Sequence, residues 1–185
     1  MKMPIRFSEA AAIILSSNNL SIMRKLFLAM ALTILVSKIS FAQYTANDIP
    51  VEKLPKEVKE VLVQYIRILR NSEDIDKCAE KFLEVAGGSL VNENASALRQ
   101  DVARFSLNKD FGNAKFYADP IKITRVNLTV SNGEGYGSSA IKGKKYKIWI
   151  EKANKSNGMP APVSIIVPEG HNSIKTPKLV NIGSL

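Results

Sequence analysis

The chain has 185 residues, 45% of them hydrophobic and 23% charged, the balance of an ordinary globular protein, which excludes a disordered tail or a low-complexity fibre. Its 26 Lys and Arg against 17 Asp and Glu give a formal net charge of +9. Lys2, Arg6, Arg24, Lys25 and Lys38 against Glu9 alone place +4 of that sum in residues 1–42, so only +5 belongs to everything that follows.

Residues 1–42 read as a targeting segment. Arg24-Lys25 after Met23 forms a short basic region, Leu26 to Val36 an apolar run, and Ser40-Phe41-Ala42 a small-residue cleavage pattern before Gln43. Eleven apolar residues are too few for a membrane span, which needs about 20. The expectation is a cleaved export signal and an exported product, periplasmic or secreted, of a Gram-negative bacterium, without a stable membrane span after cleavage. Translation from Met1 and from Met23 both fit this reading. No Cys follows the apolar run, which excludes a lipid-modified N-terminal cysteine.

Residues 43–54 read as a lead into a single domain over 55–185. With Cys78 as the sole cysteine there is no intramolecular disulfide, and the fold rests on its core. Pro55 suits the first turn of a helix, and Val58, Val61, Leu62, Tyr65, Ile66 and Leu69 recur at three- and four-residue steps behind it. Asn71-Ser72-Glu73-Asp74 breaks that helix, and Ser72 or Asp74 is placed to cap a second. The second runs to about Ala86, with Cys78 on its apolar side, and stops at Gly87-Gly88. Leu98, Val102 and Phe105 predict a short third helix over Ala97 to Phe105.

Eight of the ten glycines lie from Gly112 onward, where the apolar period changes to two. Strands are predicted over Ile121–Ser131, Ile141–Ala153, Val163–Val167 and Lys178–Gly183. Asn157-Gly158 marks a hairpin turn between the second and third. In the first strand Ile121 and Ile123 fall out of phase with Val126, Leu128 and Val130. Either a β-bulge near Thr124-Arg125 returns all five to one face, or both faces are covered. Helices followed by an antiparallel sheet of about four strands define an α+β domain.

The acidic opening of the second helix at Asp74-Ile75-Asp76, the short third helix and the closing Lys178-Leu179-Val180-Asn181-Ile182-Gly183 resemble the NTF2-like (cystatin-like) superfamily over residues 55–183. The resemblance implies helices packed on a curved sheet as a cone, with a pocket between them, and homodimers through the outer sheet face. That superfamily includes steroid isomerases, dehydratases, nuclear-transport factors and many exported proteins of unknown role, so the resemblance fixes no activity. Within such a cone, Tyr65, Phe82, Tyr117 and Tyr146 are candidate pocket liners for a small apolar ligand.

The chain departs from the enzymatic members, which place an Asp, His or Tyr dyad in the pocket. Its single histidine, His171, sits in the loop sequence Pro168-Glu169-Gly170-His171-Asn172, and Glu57, Glu60, Asp76, Glu80 and Glu84 fall on solvated helix faces. Gly133-Glu134-Gly135-Tyr136-Gly137 lies between strands with no helix behind it, a hairpin loop rather than a phosphate cradle. One His and one Cys without carboxylates at ligand spacing argue against a metal, and no cofactor motif is present. Three Asn-x-Ser/Thr triplets, at Asn94, Asn127 and Asn154, read as chance matches. In Lys142-Gly143-Lys144-Lys145-Tyr146-Lys147 the alternation turns Tyr146, Ile148 and Ile150 inward and Lys145, Lys147 and Trp149 outward. A lysine-decorated sheet face in an exported chain does not point to nucleic acid. Trp149, joined by Leu179 across the sheet, marks an apolar contact surface instead.

The leading expectation is therefore an exported, non-enzymatic binding or interaction protein. It would use the cone for a small apolar ligand, or the outer face at Lys145, Lys147, Trp149 and Leu179 for a protein or a second copy. The alternatives are an isomerase- or hydrolase-type enzyme, with Tyr117 or Tyr146 and a buried carboxylate as acid and base, and a peptidase-inhibitor-like wedge at Gly158-Met159-Pro160-Ala161-Pro162.

Overall fold

A computed structural model describes residues 47–154, 157–183 and 185. The targeting segment expected over 1–42 lies outside the described residues. The domain is α+β, with three α-helices and a five-stranded antiparallel sheet in the order β1 (Asp48–Ile49), β2 (Ile123–Glu134), β3 (Ile141–Ile150), β4 (Ala161–Pro168) and β5 (Lys178–Asn181). The fifth strand is β1, a two-residue strand inside the segment read from sequence as a lead. It pairs Asp48 with Asn127 and Ile49 with Val126.

Helix α1 (Lys56–Asn71) follows Pro55 and buries Val58, Leu62, Tyr65, Ile66, Ile68 and Leu69, the stripe its spacing predicts. It ends at Ser72, whose hydroxyl and backbone N–H both donate to the Ile68 carbonyl. Helix α2 (Ile75–Phe82) is capped by Asp74, whose carboxylate accepts from the Lys77 N–H at 2.8 Å. It buries Cys78 and Phe82.

Helix α2 stops four residues short of the expected end for a tertiary reason. The Val85 carbonyl accepts from the Leu179 N–H and the Gly87 N–H donates back to the Leu179 carbonyl, both at 2.8 Å. Residues 85–87 thus lie along the open edge of β5, satisfying groups that would otherwise template another chain. Glycine is needed there, because a Cβ on Gly87 would come within 2.8 Å of the Lys178 Cβ.

The third helix also departs from expectation. A π-helical stretch, Val102–Leu107, leads into α3 (Asn108–Asn113) and a 3₁₀ turn, Ala114–Phe116. Residues 97–99 are outside it, since Leu98 bridges to Val91. The wide π turn lets Val102 and Leu107, five apart, both face inward, and it turns Phe105 outward to 63% exposure. Phe105 is therefore not on the buried face with Val102.

In β2 the register slips between Ile123 and Arg125, which selects the bulge from the two explanations of the phase change. Val126 is buried and Ile121, Ile123 and Leu128 pack against the core, whereas Val130 is 74% exposed, past the cover of the helices. Cross-strand partners Tyr146 and Ile165, Ile148 and Val163, and Ile150 and Ala161 form the inner face of β3 and β4, beneath α1 and α2. A smaller cluster, Ile141, Ile166 and Val180 with Ile174 against it, occupies one end of the other face.

Candidate functional site

Between the helices and the sheet the side chains close on one another. The rings of Tyr65 and Phe82 meet at 5.3 Å with a 45° tilt, and Tyr65, Phe82, Tyr117 and Tyr146 are all buried. They are brought together as core, and none of them lines the clefts beside Arg70 and Asp119, between Ser138 and His171, at Met159, or along Lys59 and Arg67.

The centre of this interior is polar. Asp110, fully buried, accepts a 2.6 Å hydrogen bond from the Tyr65 hydroxyl at one oxygen. The same oxygen accepts from the Gly183 N–H at 2.8 Å, and its other oxygen from the Leu185 N–H at 3.0 Å. Burial holds the Asp110 carboxyl above its ordinary range, with the Tyr65 and backbone bonds opposing. Burial first, and then the Asp110 charge, pushes the Tyr117 phenol up to about 12 and the Tyr65 phenol well above its usual value. The Tyr117 hydroxyl is buried without a hydrogen-bond partner. Asp110 therefore holds a clasp: it ties α3 to α1 and to the C-terminal residues.

The outer sheet face presents a different chemistry. Trp149 on β3 sits opposite Arg125 on β2 and Pro162 on β4. The Arg125 guanidinium lies 4.7 Å from the Trp149 ring centroid and the Lys147 ammonium 5.1 Å from it, two cation–π contacts on one indole. Arg125 also holds Asp48 through two of its guanidinium nitrogens, Nε at 3.0 Å and Nη2 at 3.0 Å. The Asn127 amide donates to the same carboxylate at 3.2 Å. Lys145 pairs with Glu134. Lys145 and Trp149 are half-buried and Lys147 is exposed.

Leu179 does not join this surface. It pairs with Ile165 on β4, itself opposite the inward Tyr146 on β3, and is therefore fully buried in the main core facing the helices. Val180, its neighbour, takes the outer side.

Two loops meet at the other end of the sheet. The His171 ring accepts at Nδ1 from the Ile174 N–H at 2.9 Å and the Ser173 N–H at 3.2 Å, which leaves Nε2 to donate to the Ser138 carbonyl at 3.2 Å. This histidine fixes the β4–β5 loop to the glycine-rich β2–β3 loop, with a shallow cleft of about 330 Å³ between them. Glu57, Glu60, Asp76 and Glu80 are exposed on the outer sides of α1 and α2, and Glu84 is exposed in the turn after α2. Met159, at the β3–β4 hairpin tip, is 85% exposed.

Among the described residues no group of His, Cys, Asp and Glu is arranged to hold a metal ion, and no helix is long and apolar enough to cross a membrane. Compared with protein-family models, with curated proteins and with solved structures, the chain matches none.

Sequence reasoning passed over Asp110, Arg125 and Asp48. Asp110 did carry a signal. It stands three residues after Leu107 and four before Ala114, so a carboxylate occupies the inward stripe of a helix and requires buried donors. Arg125 and Asp48 are 77 residues apart in the chain, and only the β1–β2 pairing joins them.

Proposed function

We propose that the protein is a non-enzymatic interaction protein that binds a second copy of itself through the outer sheet face centred on Trp149. The observation that carries this reading is the Arg125–Trp149–Lys147 stack beside the Asp48–Arg125 and Glu134–Lys145 pairs. Trp and Arg are the side chains that most often anchor interfaces. A face carrying both signs of charge is suited to a two-fold contact, in which each patch meets its own copy. Edge-to-edge pairing is disfavoured, since β1 is two residues long and residues 85–87 cover β5. The resemblance to the NTF2-like superfamily, whose cones pair through this face, agrees with the reading, as does an exported setting. Sedimentation velocity tests it: the wild type should be a dimer at micromolar concentration and Trp149→Ala a monomer with an unchanged circular-dichroism spectrum. An unchanged mass for Trp149→Ala would contradict it.

One observation favours a second reading, an isomerase- or hydrolase-type enzyme. Asp110, Tyr65 and the unpartnered Tyr117 hydroxyl form a buried acid–base cluster with displaced pKa values. For that role a substrate must enter where Tyr65, Phe82 and Tyr117 now pack, and Asp110 must release the backbone N–H groups of Gly183 and Leu185.

A further inference from the structure

Over residues 101–117 inward positions recur at three- to five-residue steps. Val102, Leu107, Asp110, Ala114 and Tyr117 face inward, and 101, 104–105, 108–109, 112 and 115–116 face solvent. The π stretch at the start of this run is what keeps the outer row in line. That row carries three cations, Arg104, Lys109 and Lys115, and two exposed aromatics, Phe105 at 63% and Phe116 at 36%. Its one acid, Asp101, is neutralised by Arg99 at 3.1 Å. Each ring lies under its own cation, Arg104 at 5.4 Å from the Phe105 centroid and Lys115 at 5.2 Å from that of Phe116. Lys109 reaches the Gly183 carbonyl at 3.0 Å.

Such a row asks for an anionic partner that also accepts apolar rings. The two rings are on the order of 15 Å apart at the helical rise, with Lys109 and Gly112 between them. A protein interface gathers its anchors into one dry patch, which this spacing does not offer. A bilayer interface accepts separate rings at the acyl boundary while Arg and Lys stems reach back to the phosphates.

We propose that this helical face docks the protein on an anionic lipid bilayer, with Phe105 and Phe116 entering the interface and Arg104, Lys109 and Lys115 on the lipid phosphates. The face belongs to the helical layer, so the Trp149 surface on the opposite side of the sheet stays available while the protein is docked.

The test is co-sedimentation of the full chain with vesicles of phosphatidylglycerol and phosphatidylethanolamine, against vesicles of phosphatidylcholine alone. The readout is the ratio of retention on anionic over neutral vesicles, compared between the wild type and variants that keep residues 1–42, because Arg24, Lys25 and Lys38 beside the apolar run Leu26 to Val36 favour anionic headgroups in every one of them alike. The ratio should be well above one, should collapse at about 1 M salt, where the screening length is about 3 Å, and should fall about tenfold in Phe105→Ala/Phe116→Ala. Both rings are on the surface, and the circular-dichroism spectrum of the variant verifies that it folds; Arg104→Gln/Lys115→Gln should lower the ratio similarly. Equal retention on both vesicle types, or a ratio that neither double variant alters, would overturn the proposal. Binding to poly-glutamate without preference for anionic vesicles would overturn it in favour of an acidic protein partner.

Discussion

Replacing Asp110 by Asn keeps the shape of the clasp and changes one atom's chemistry. The Asn oxygen can continue to serve Tyr65 and Gly183, 2.6 and 2.8 Å away, but its NH₂ then faces the Leu185 N–H that had donated at 3.0 Å. Losing a hydrogen bond to a charged acceptor removes about 1.5–3 kcal/mol, and a buried donor left without a partner costs about 1–3 kcal/mol more. Relief from burying a carboxylate offsets part of this. The expected net loss is about 2–3 kcal/mol, to be read from the urea midpoint with an unchanged slope. Proteolysis should also begin at the C-terminal residues, because Gly183 and Leu185 are anchored by the same carboxylate. An Asp110→Asn protein as stable as the wild type, or more stable, would refute the clasp. It would be the behaviour of a strained functional acid, whose removal commonly stabilises a fold, and would move weight to the enzymatic reading.

The clasp also predicts a pH dependence. Burial holds the folded-state carboxyl above its unfolded value of about 3.9, so between those two values the folded protein binds more protons than the unfolded one. Stability then falls as pH rises through that window. The stability advantage of wild type over Asp110→Asn should accordingly be larger near pH 4 than at pH 7, and a difference independent of pH would contradict it. Gly143→Ala should cost more than about 3 kcal/mol or prevent folding, since φ is +147° and a Cβ would stand 2.1 Å from the Val167 carbonyl oxygen across the β3–β4 ladder; soluble expression and thermal unfolding measure this. Arg70 joins α1 to the 114–119 segment, donating to the Tyr117 carbonyl at 2.7 Å and pairing with Asp119 at 3.2 Å. Arg70→Lys should recover only part of the roughly 1–3 kcal/mol lost in Arg70→Ala, as measured by urea unfolding.

Periodicity was enough for the elements whose partners are near in sequence. The α1 stripe and the inward set Tyr146, Ile148 and Ile150 are legible because each follows from local geometry and one apolar face, whereas the Asp74 cap and the bulge before Arg125 are each one of two readings the sequence leaves open, and the structure selects them. What the sequence could not show depends on long-range pairing. The end of α2 is decided by Leu179, more than 90 residues away in chain order, and the two-residue β1 exists only because β2 receives it. The same limit places Leu179 on the outer face from sequence, since only its pairing with Ile165 on β4 fixes it on the inner side. Phe105 was misread for a related reason: a π turn breaks the 3.6-residue rule on which the reading of its helix depends. The glycine-rich loop and the solvated carboxylates, by contrast, were legible from context alone, because neither depended on a distant partner.

Under the proposed reading the Trp149 face, and not the interior, is where this protein binds. Native mass spectrometry of the protein purified from its own source, repeated on dilution, tests that most directly by giving oligomeric state and retained ligand together. The expected result is a ligand-free dimer that dissociates on dilution and is absent in Trp149→Ala. A monomer carrying a tightly held small molecule would contradict it and place binding back between the helices and the sheet.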